Sequence, residues 1–258
     1  MRKTVLITGA SSGLGVEFAK IHAAKGDNLV LVARGKDKMN LLKTEIEKRY
    51  DIFVYVIGRD LSEVGAPKTI FNELKAQKIH IDYLINNAGF GDFGLFAQSN
   101  WEKQLQMINL NITALAYFTR LFLPEMIKHK SGKILNIAST AAFQPGPTMS
   151  VYFATKAFVL SFSEALANEL KGTGVTVTTL CPGATATGFK STASLDNSSL
   201  FKGKVANSKS VAEFGHKAMM KGKSVVIHGF INKIMASSVR FAPRKLVTII
   251  ARMKLKAK

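Results

Sequence analysis

The chain has 258 residues, 47% of them hydrophobic, and carries 36 Lys and Arg against 17 Asp and Glu, a net charge of +19. This length suits one α/β domain, and the apolar content excludes a globally disordered chain. The single cysteine, Cys181, excludes an internal disulfide, and no run of 18 apolar residues or signal-peptide pattern is present, so we expect a cytoplasmic protein.

Short apolar runs alternate with helical patterns along most of the chain. Strands are predicted at 4–7, 29–32, 52–56, 81–85, 133–137, 175–180 and 224–227, with a helix over 100–130 that is interrupted before Leu110. Continuous apolar strands separated by helices are typical of a parallel sheet that is covered on both faces. We therefore predict a Rossmann-like, doubly wound α/β fold of about seven strands, with its ligand site at the carboxyl ends of the strands.

A glycine-rich turn with the spacing G-xxx-G-x-G joins the first strand to the first helix. Glycine lets the backbone turn tightly and approach an anion closely. The helix N-terminus that follows presents unpaired N–H groups and the positive end of the helix dipole. The turn therefore predicts a site for a pyrophosphate group, formed by Gly9, Ser11, Ser12, Gly13, Leu14 and Gly15.

The end of the second strand indicates which dinucleotide is bound. An acidic residue at this point would bond the ribose 2′-hydroxyl of NAD. Here the strand ends in Ala33, followed by Arg34, and a guanidinium can bind the 2′-phosphate of NADP through paired hydrogen bonds. Lys36 and Lys38 add positive charge nearby. The pattern predicts NADP(H); the alternative is that Arg34 is an ordinary surface arginine.

Tyr152 and Lys156 are four residues apart on a predicted helix and therefore share a face. A free tyrosine has a pKa near 10. A nearby ammonium, together with the positive ring of a nicotinamide, favours the phenolate, so we expect Lys156 and the nicotinamide to lower the pKa of Tyr152. Such a pair is common on helices and carries weight only together with Ser139, which closes the fifth strand.

Five motifs, in order along residues 4–187, resemble the short-chain dehydrogenase/reductase family. They are the glycine-rich turn, Asn86-Asn87-Ala88-Gly89, Asn111, Ser139 with Tyr152-xxx-Lys156, and Pro182-Gly183. The resemblance implies hydride exchange between a nicotinamide cofactor and a carbonyl or alcohol, with reduction expected for NADPH. The chain is also similar to uncharacterised bacterial reductases that are related to long-chain ketoacyl and hydroxysteroid reductases.

The resemblance implies a role for each matching residue. Tyr152 is the acid/base, Ser139 orients the substrate oxygen, Lys156 tunes the tyrosine and bonds the nicotinamide ribose, and Asn111 holds a water that relays protons. Asn109 is the neighbouring alternative to Asn111. Further cofactor contacts are implied for Asp60, Leu61, Asn87, Ala88, Gly89, Pro182, Gly183, Thr185 and Thr187. Asn86 and Asn87 also suit local bonds within a turn.

The whole chain, 1–258, is predicted to be one domain. Residues 1–187 form its cofactor-binding and catalytic core, and the polar, helix-poor segment 188–210 forms a substrate flap. Apolar side chains near the predicted site favour an apolar substrate, although each also suits an ordinary core: Phe90, Phe93, Phe143, Met149 and Phe189.

A basic helical extension is predicted over 231–258. Residues 202–258 carry 14 Lys and Arg against one acid, Glu213, and Leu246, Ile249, Ile250 and Met253 form an apolar helical stripe. This helix can contact a membrane surface peripherally, pack on its own domain, or pack on a second subunit. The family resemblance implies a homodimer or homotetramer.

The remaining partner classes have no support in the sequence. The five histidines lack metal-ligand spacing, and no nucleic-acid-binding motif is present, so neither a metal nor a nucleic acid is expected. Three functions remain open: an NADP(H)-dependent reductase of an apolar ketone or aldehyde, a membrane-associated 3-ketoacyl or steroid reductase, and a non-catalytic dinucleotide sensor. The complete set of four implied catalytic residues favours an enzyme.

Overall fold

A computed structural model of the chain describes residues 2–189 and 205–255. Its strands are β1 (Thr4–Thr8), β2 (Asn28–Ala33), β3 (Val54–Gly58), β4 (Tyr83–Asn86), β5 (Gly132–Ile137), β6 (Val175–Cys181) and β7 (Val225–Ile227). All pair in parallel in the order β3-β2-β1-β4-β5-β6-β7, which confirms the predicted doubly wound sheet. The strand order reverses between β1 and β4, where such sheets open a ligand crevice.

The helices lie on both faces of this sheet. They are α1 (Gly13–Ala23), α2 (Lys36–Arg49), α3 (Ala66–Ala76), α4 (Trp101–Ile108), α5 (Leu115–Lys128), α6 (Ser150–Glu169), α7 (Ser208–Met220), α8 (Phe230–Ser238) and α9 (Arg244–Leu255). Short 3₁₀ turns occupy Phe96–Gln98 and Thr140–Phe143.

Alternate residues of each strand supply two separate cores. Val5 and Ile7 of β1 pack with α1, α2 and α7 on one face, whereas Leu6 packs with α3, α5 and α6 on the other. Successive side chains of a strand point to opposite faces, so a strand that is buried on both faces must be apolar throughout. This is why β1 and β2 read as continuous apolar runs in the sequence.

Several element boundaries differ by one or two residues from the sequence-based predictions, as at β4, which begins at Tyr83 rather than at residue 81. β3 begins at Val54 rather than at residue 52, because the chain still turns there and the Ile52 N–H donates to the Tyr50 carbonyl at 2.9 Å. The interruption predicted before Leu110 is present, but it is a π-helical turn, Asn109–Ala114, that joins α4 to α5 rather than a break. This stretch contains no Pro or Gly, so the helix widens instead of ending.

The C-terminal extension forms α8 and α9, but the apolar stripe of the last helix does not face the domain. Leu246 and Met253 are 47% and 66% exposed. The buried contacts of α9 come from Val247, Ala251 and Leu255 on its other face. Residues 256–258, and residues 190–204 of the predicted substrate flap, lie outside the described residues. Within the described ranges, no helix is long and apolar enough to cross a membrane.

The packing of α5 against the sheet yields a stability prediction. Phe118 is 1% exposed and stacks on Phe122 with ring centroids 6.2 Å apart. Phe118→Ala should lower the free energy of unfolding by about 3–5 kcal/mol, because it removes buried apolar contacts and leaves a cavity. Urea denaturation measures this loss. Phe241→Ala, at a position that is 90% exposed, should change stability by about 0.5 kcal/mol or less.

Candidate active site

A cavity of about 570 Å³ opens at the carboxyl edge of the sheet. Its walls come from the segments that follow β1 to β6, which is where a doubly wound sheet binds its ligand. Of the predicted site residues, 18 line it: Gly9, Ser11, Ser12, Gly13, Leu14, Arg34, Asp60, Leu61, Asn87, Ala88, Gly89, Ser139, Tyr152, Lys156, Pro182, Gly183, Thr185 and Thr187. The other two, Gly15 and Asn111, lie behind its wall.

The glycine-rich turn is packed too tightly for side chains. Gly9 has φ +68°, and a Cβ there would meet the Ala88 Cα at 2.9 Å. Gly13 has φ +54°, and a Cβ there would meet Thr187 at 2.9 Å. At Gly15 an added Cβ would lie 2.2 Å from the Gly9 carbonyl oxygen, so this glycine brings α1 against the turn. The N-terminus of α1 therefore faces the cavity at close range, as an anion site requires.

Asn87 holds two strand ends together from within the cavity wall. Its Nδ2 donates to the carbonyl oxygens of Thr8 at 2.9 Å and Gly9 at 3.2 Å. In return, the Thr8 hydroxyl accepts hydrogen bonds from the backbone N–H groups of Asn87 and Ala88. The local-bonding role predicted for Asn87 is thus present in the structure, and the same residue lines the cavity.

Three cationic side chains surround one end of the cavity: Arg34, Lys38 and Arg59. Arg34 is mostly exposed, and its Nη1 lies 3.6 Å from Asp60 Oδ2. Burial opposes ionisation of Asp60, but hydrogen bonds from Ser62 and the nearby Arg34 charge hold the pKa of Asp60 below its usual value. Asp60 therefore stays ionised and neutralises part of the charge of this cluster.

Tyr152 lies at the opposite end, buried in the cavity wall. Burial raises the pKa of Tyr152 to about 12, and a hydrogen bond with the Ser139 side chain opposes this rise. Lys156 does not outweigh this rise, because loss of hydration dominates and the ammonium is 5.9 Å from the ring centroid, while the lowering expected from the nicotinamide ring stays a prediction. The phenol is therefore protonated at neutral pH.

Lys156 is buried one helical turn from Tyr152. Its Nζ donates to the Ile137 carbonyl at 2.9 Å, at the end of β5. Burial lowers the pKa of Lys156 to about 8, while the neighbouring Cys181 acts in the opposite direction. A buried lysine that titrates near neutral pH can give up or take up a proton readily.

Asn111 lies in the π-helical turn and is 1% exposed. Its Nδ2 donates to the Phe90 carbonyl at 2.9 Å and to Thr155 Oγ1 at 3.0 Å, while its Oδ1 accepts from the Phe90 N–H at 3.2 Å. A Cβ on Gly89 would lie 2.9 Å from Asn111 Oδ1 and 3.4 Å from Lys156 Nζ. Gly89 therefore leaves a narrow gap between the asparagine and the lysine.

The apolar wall of the cavity only partly matches the prediction. Phe90, Met149 and Phe189 line it, as does Phe153. Phe93 and Phe143 do not; they pack at the margins of two hydrophobic clusters, the ordinary-core alternative. A Cβ on Gly91 would lie 2.8 Å from Phe189 Cζ and 3.2 Å from Met149 Cε, so the tips of these two side chains close over Gly91.

Several residues at or beside the site belong to no sequence motif, and the sequence-based predictions did not include them. Arg59 and Gln144 line the cavity, and Leu255 of α9 is buried beside Tyr152 and Met149. The position of Arg59 immediately after β3, at the ligand-binding edge, was an available signal. Leu255 is far from the site in sequence, and only the folded chain brings it there.

Histidine spacing indicated no metal site, yet three potential ligands meet on the surface. His80 Nδ1 and His129 Nε2 lie 3.6 Å and 3.8 Å from Glu125 Oε2. The long separation of His80 from the other two residues hides the cluster from local spacing. It lies at the amino-terminal edge of the sheet, opposite the cavity, and all three residues are exposed.

Comparison with known proteins agrees with the fold. A sequence model of the family described as short chain dehydrogenase matches residues 3–198. The chain is 34% identical over 188 residues to a very-long-chain 3-oxoacyl-CoA reductase of Anas platyrhynchos, covering 70% of this chain and 59% of that protein. It is 32% identical over 182 residues to a 7beta-hydroxysteroid dehydrogenase of Collinsella aerofaciens, covering 70% and 68%.

A solved structure is similar over almost the whole chain. It is a short-chain dehydrogenase from Sphingobium yanoikuyae in complex with NADPH, with a TM-score of 0.83 and 32% sequence identity. The similarity covers 93% of this chain and 94% of that chain. By contrast, the match spans only 59% of the length of the duck reductase, which therefore has sequence beyond the shared region.

The low pKa of Lys156 makes the stability of the protein depend on pH. Between about 8, its pKa in the fold, and its ordinary value of 10.5, the unfolded chain binds more protons, so folding stability rises with pH. Below pH 8 the buried charge opposes folding, and Lys156→Met removes that cost. Relative to Lys156→Met, the free energy of unfolding of the wild type should therefore increase by about 3 kcal/mol between pH 7 and pH 10.5.

Urea denaturation at several pH values measures this difference. The exposed Lys75 provides the control, since Lys75→Met should show a nearly constant difference from the wild type. A Lys156→Met difference that does not vary with pH would contradict the burial of the ammonium.

Proposed function

The chain belongs to the short chain dehydrogenase family, and we propose that it is an NADP(H)-dependent reductase that converts an apolar ketone or aldehyde to an alcohol. The observation that carries the proposal is the group of Tyr152, Ser139 and Lys156 in the wall of one cavity, beside a glycine-rich turn. Phenol, hydroxyl and ammonium together can receive the negative charge that develops on a carbonyl oxygen as a hydride arrives.

The cavity fits a dinucleotide phosphate. Its glycine-rich turn has no room for side chains, and Arg59 Nε is buried without a hydrogen-bond partner among the described residues. Gly9, Gly13 and the N-terminus of α1 would hold the pyrophosphate, and Asp60 with Leu61 would hold the adenine. When bound, the cofactor supplies or accepts the hydride.

The protein's own residues would handle the proton. Tyr152 is protonated at neutral pH because its pKa is about 12, so it is ready to donate its phenolic proton to a carbonyl oxygen that becomes an alkoxide. The Ser139 hydroxyl would donate a second hydrogen bond to the same oxygen. Reduction uses the protonated phenol as the acid, whereas oxidation of an alcohol uses the phenolate as the base.

Lys156 and Asn111 would return the proton to Tyr152. The pKa of Lys156, about 8, suits a group that gains and loses a proton near neutral pH. Asn111 Oδ1 accepts from the Phe90 N–H, and a carbonyl oxygen has a second lone pair that can hold a water at the gap beside Gly89. The bonds of Asn111 to Phe90 also give it a structural role.

The preference for NADP(H) rests on the cationic cluster of Arg34, Lys38 and Arg59. These side chains follow β2 and β3, where a 2′-phosphate would lie, and Asp60 balances only part of their charge. The NADPH bound by the similar Sphingobium protein supports the same cofactor. Remaining contacts to the nicotinamide end would come from Pro182, Gly183, Thr185 and Thr187.

The apolar wall of the cavity supports the proposed substrate class. Phe90, Met149, Phe153 and Phe189 surround the approach to Tyr152. Relatives named for long-chain 3-oxoacyl-CoA and hydroxysteroid substrates support a bulky apolar ketone. In that case residues 188–210 would act as the substrate flap. A non-catalytic dinucleotide sensor is the rival function, and it would need none of the proton-transfer residues.

We also propose a homo-oligomer, dimer or tetramer. The helices on either side of the π-helical turn, together with α6, expose large apolar side chains: Trp101, Leu105, Tyr117 and Phe158. Burial of these side chains against a second copy would remove apolar surface from water.

Replacing the proposed acid tests the enzymatic function. Tyr152→Phe should reduce the rate of NADPH oxidation across a panel of bulky ketones by about 100-fold or more, because the proton donor is lost. NADPH binding, measured by calorimetry, should remain. Tyr50→Phe, at the end of α2, is the matched control and should retain full activity. If Tyr152→Phe keeps wild-type turnover, or the wild type oxidises no NADPH with any ketone, the reductase proposal fails.

The cationic cluster yields a second functional prediction. Arg34→Ala and Arg59→Ala should each weaken NADPH binding by about ten- to a hundredfold, because each removes a charge-assisted hydrogen bond to the 2′-phosphate. NADH binding should change little in both variants. The exposed Arg49→Ala serves as the control. Equal losses for NADPH and NADH would argue against 2′-phosphate recognition.

A further inference from the structure

The two C-terminal helices expose a large apolar surface. Nine large apolar side chains of 230–253 are at least 40% exposed, and we call them the C-terminal apolar face. The six most exposed are Phe230, Ile231, Ile234, Phe241, Ile249 and Met253. Phe241, between the helices, is 90% exposed. Monomeric proteins rarely leave such a contiguous patch uncovered unless it binds something.

This surface is not the side by which the helices pack on the domain. α9 is buried through Val247, Ala251 and Leu255, and α8 through Ala236. The outward faces of the two helices adjoin, since Lys254 Nζ of α9 lies 3.6 Å from Met235 Sδ of α8. The domain therefore fixes both helices with their apolar faces turned outward.

The charge of this region is of one sign. The chain has no acidic residue after Glu213, and six exposed cations lie on or between the two helices: Lys233, Arg240, Arg244, Lys245, Arg252 and Lys254. Within 2–189 and 205–255, no carboxylate forms an ion pair with the first five of them. An apolar face with basic residues around it is the pattern of a helix that lies in a membrane interface.

We propose that the C-terminal apolar face binds the surface of an anionic lipid bilayer. The apolar side chains would enter the acyl boundary while the cations contact lipid phosphates. A second copy fits this face less well, because apposed copies would bring together ten like charges, from Lys233, Arg240, Arg244, Lys245 and Arg252 of each, that no carboxylate of the described residues pairs. A nucleic acid would match the charge but would leave Phe230 and Phe241 without an apolar partner.

The docking helices also pack against residues that line the candidate active site. Leu255 is buried with Tyr152 and Met149, and Asn232 of α8 lies against Gly183, where an added Cβ would be 2.5 Å from Asn232 Nδ2. Docking would therefore hold the apolar cavity next to the bilayer, in which apolar ketones concentrate. This last step rests on the proposed function, whereas the docking itself does not.

Vesicle co-sedimentation tests the proposal without measuring activity. The wild type should sediment with vesicles of equimolar phosphatidylglycerol and phosphatidylcholine, bind pure phosphatidylcholine far more weakly, and dissociate at high salt. Phe230→Ser/Phe241→Ser should weaken binding by about tenfold or more, since it removes two of the most exposed apolar groups. Leu41→Ser/Val64→Ser, at exposed apolar positions elsewhere, should bind like the wild type.

A second double variant, which removes two positive charges, completes the design together with its own control. Lys245→Gln/Arg252→Gln should weaken binding about thirtyfold, whereas Lys48→Gln/Lys75→Gln, on other exposed helices, should have little effect. The proposal is overturned if the wild type stays in the supernatant or if the face variants bind vesicles like the controls. It is also overturned if the face variants instead lose a dimer in sedimentation equilibrium, or if the wild type binds duplex DNA more tightly than vesicles.

The two proposals fail separately. All eight substituted positions are exposed, so we expect the four variants to fold. Thermal unfolding temperatures equal to that of the wild type would verify this. Vesicle binding without ketone-dependent NADPH oxidation would leave the docking surface intact and remove the reductase function. Ketone reduction without vesicle binding would leave the reductase function intact and remove the docking surface.

Discussion

The burial of one lysine side chain connects the sheet to the chemistry of this protein. Lys156 reaches from α6 to the carbonyl of Ile137, where β5 ends, and its surroundings lower its pKa to about 8. The same region raises the pKa of the Cys181 thiol to about 12 through burial, so the thiol stays neutral. The site therefore combines a neutral phenol with an amine close to its titration point, in a wall that water reaches poorly.

A chain of buried polar groups holds the strand ends around this lysine. Asn86 donates to Asn136 at 2.9 Å and to Thr119 at 3.2 Å, and Asn136 donates to Ser163 at 2.8 Å. These bonds tie β4, β5, α5 and α6 together just below the cavity. Buried polar networks of this kind are specific in geometry because an unpaired member is costly. The site is therefore supported by directional bonds as well as by apolar packing.

Local patterns in the sequence were sufficient for the fold and for the phosphate turn, and the family resemblance supplied most of the other cavity residues. Continuous apolar strands predicted the sheet and the glycine spacing predicted the phosphate turn, whereas the meeting of Ser139, Tyr152 and Lys156 in one cavity was implied by the family resemblance. The energetic state of those residues was not predictable in the same way. The pKa of Tyr152 depends on the loss of hydration in the folded chain, which no spacing reports.

Contacts between segments that are far apart in the sequence could not be predicted from local patterns either. The periodicity of α9 identified a helix, but the larger residues Ile249 and Met253 face outward and the smaller Ala251 faces the domain. Which face of an amphipathic helix is buried depends on the shape of its neighbour. The π-helical turn at Asn111 likewise reflects packing between α4, α5 and α6, since its residues carry no helix-breaking signal.

The closure over Gly91 has a practical consequence for protein engineering. The ring tip of Phe189 and the terminal methyl of Met149 narrow the space there, and both belong to side chains with rotatable bonds. Shortening these two residues would enlarge the substrate space without touching backbone or the glycine turn. At Gly89, by contrast, any added atom would press on Asn111 and Lys156, so redesign of substrate scope should begin at 149 and 189 and leave 89 unchanged.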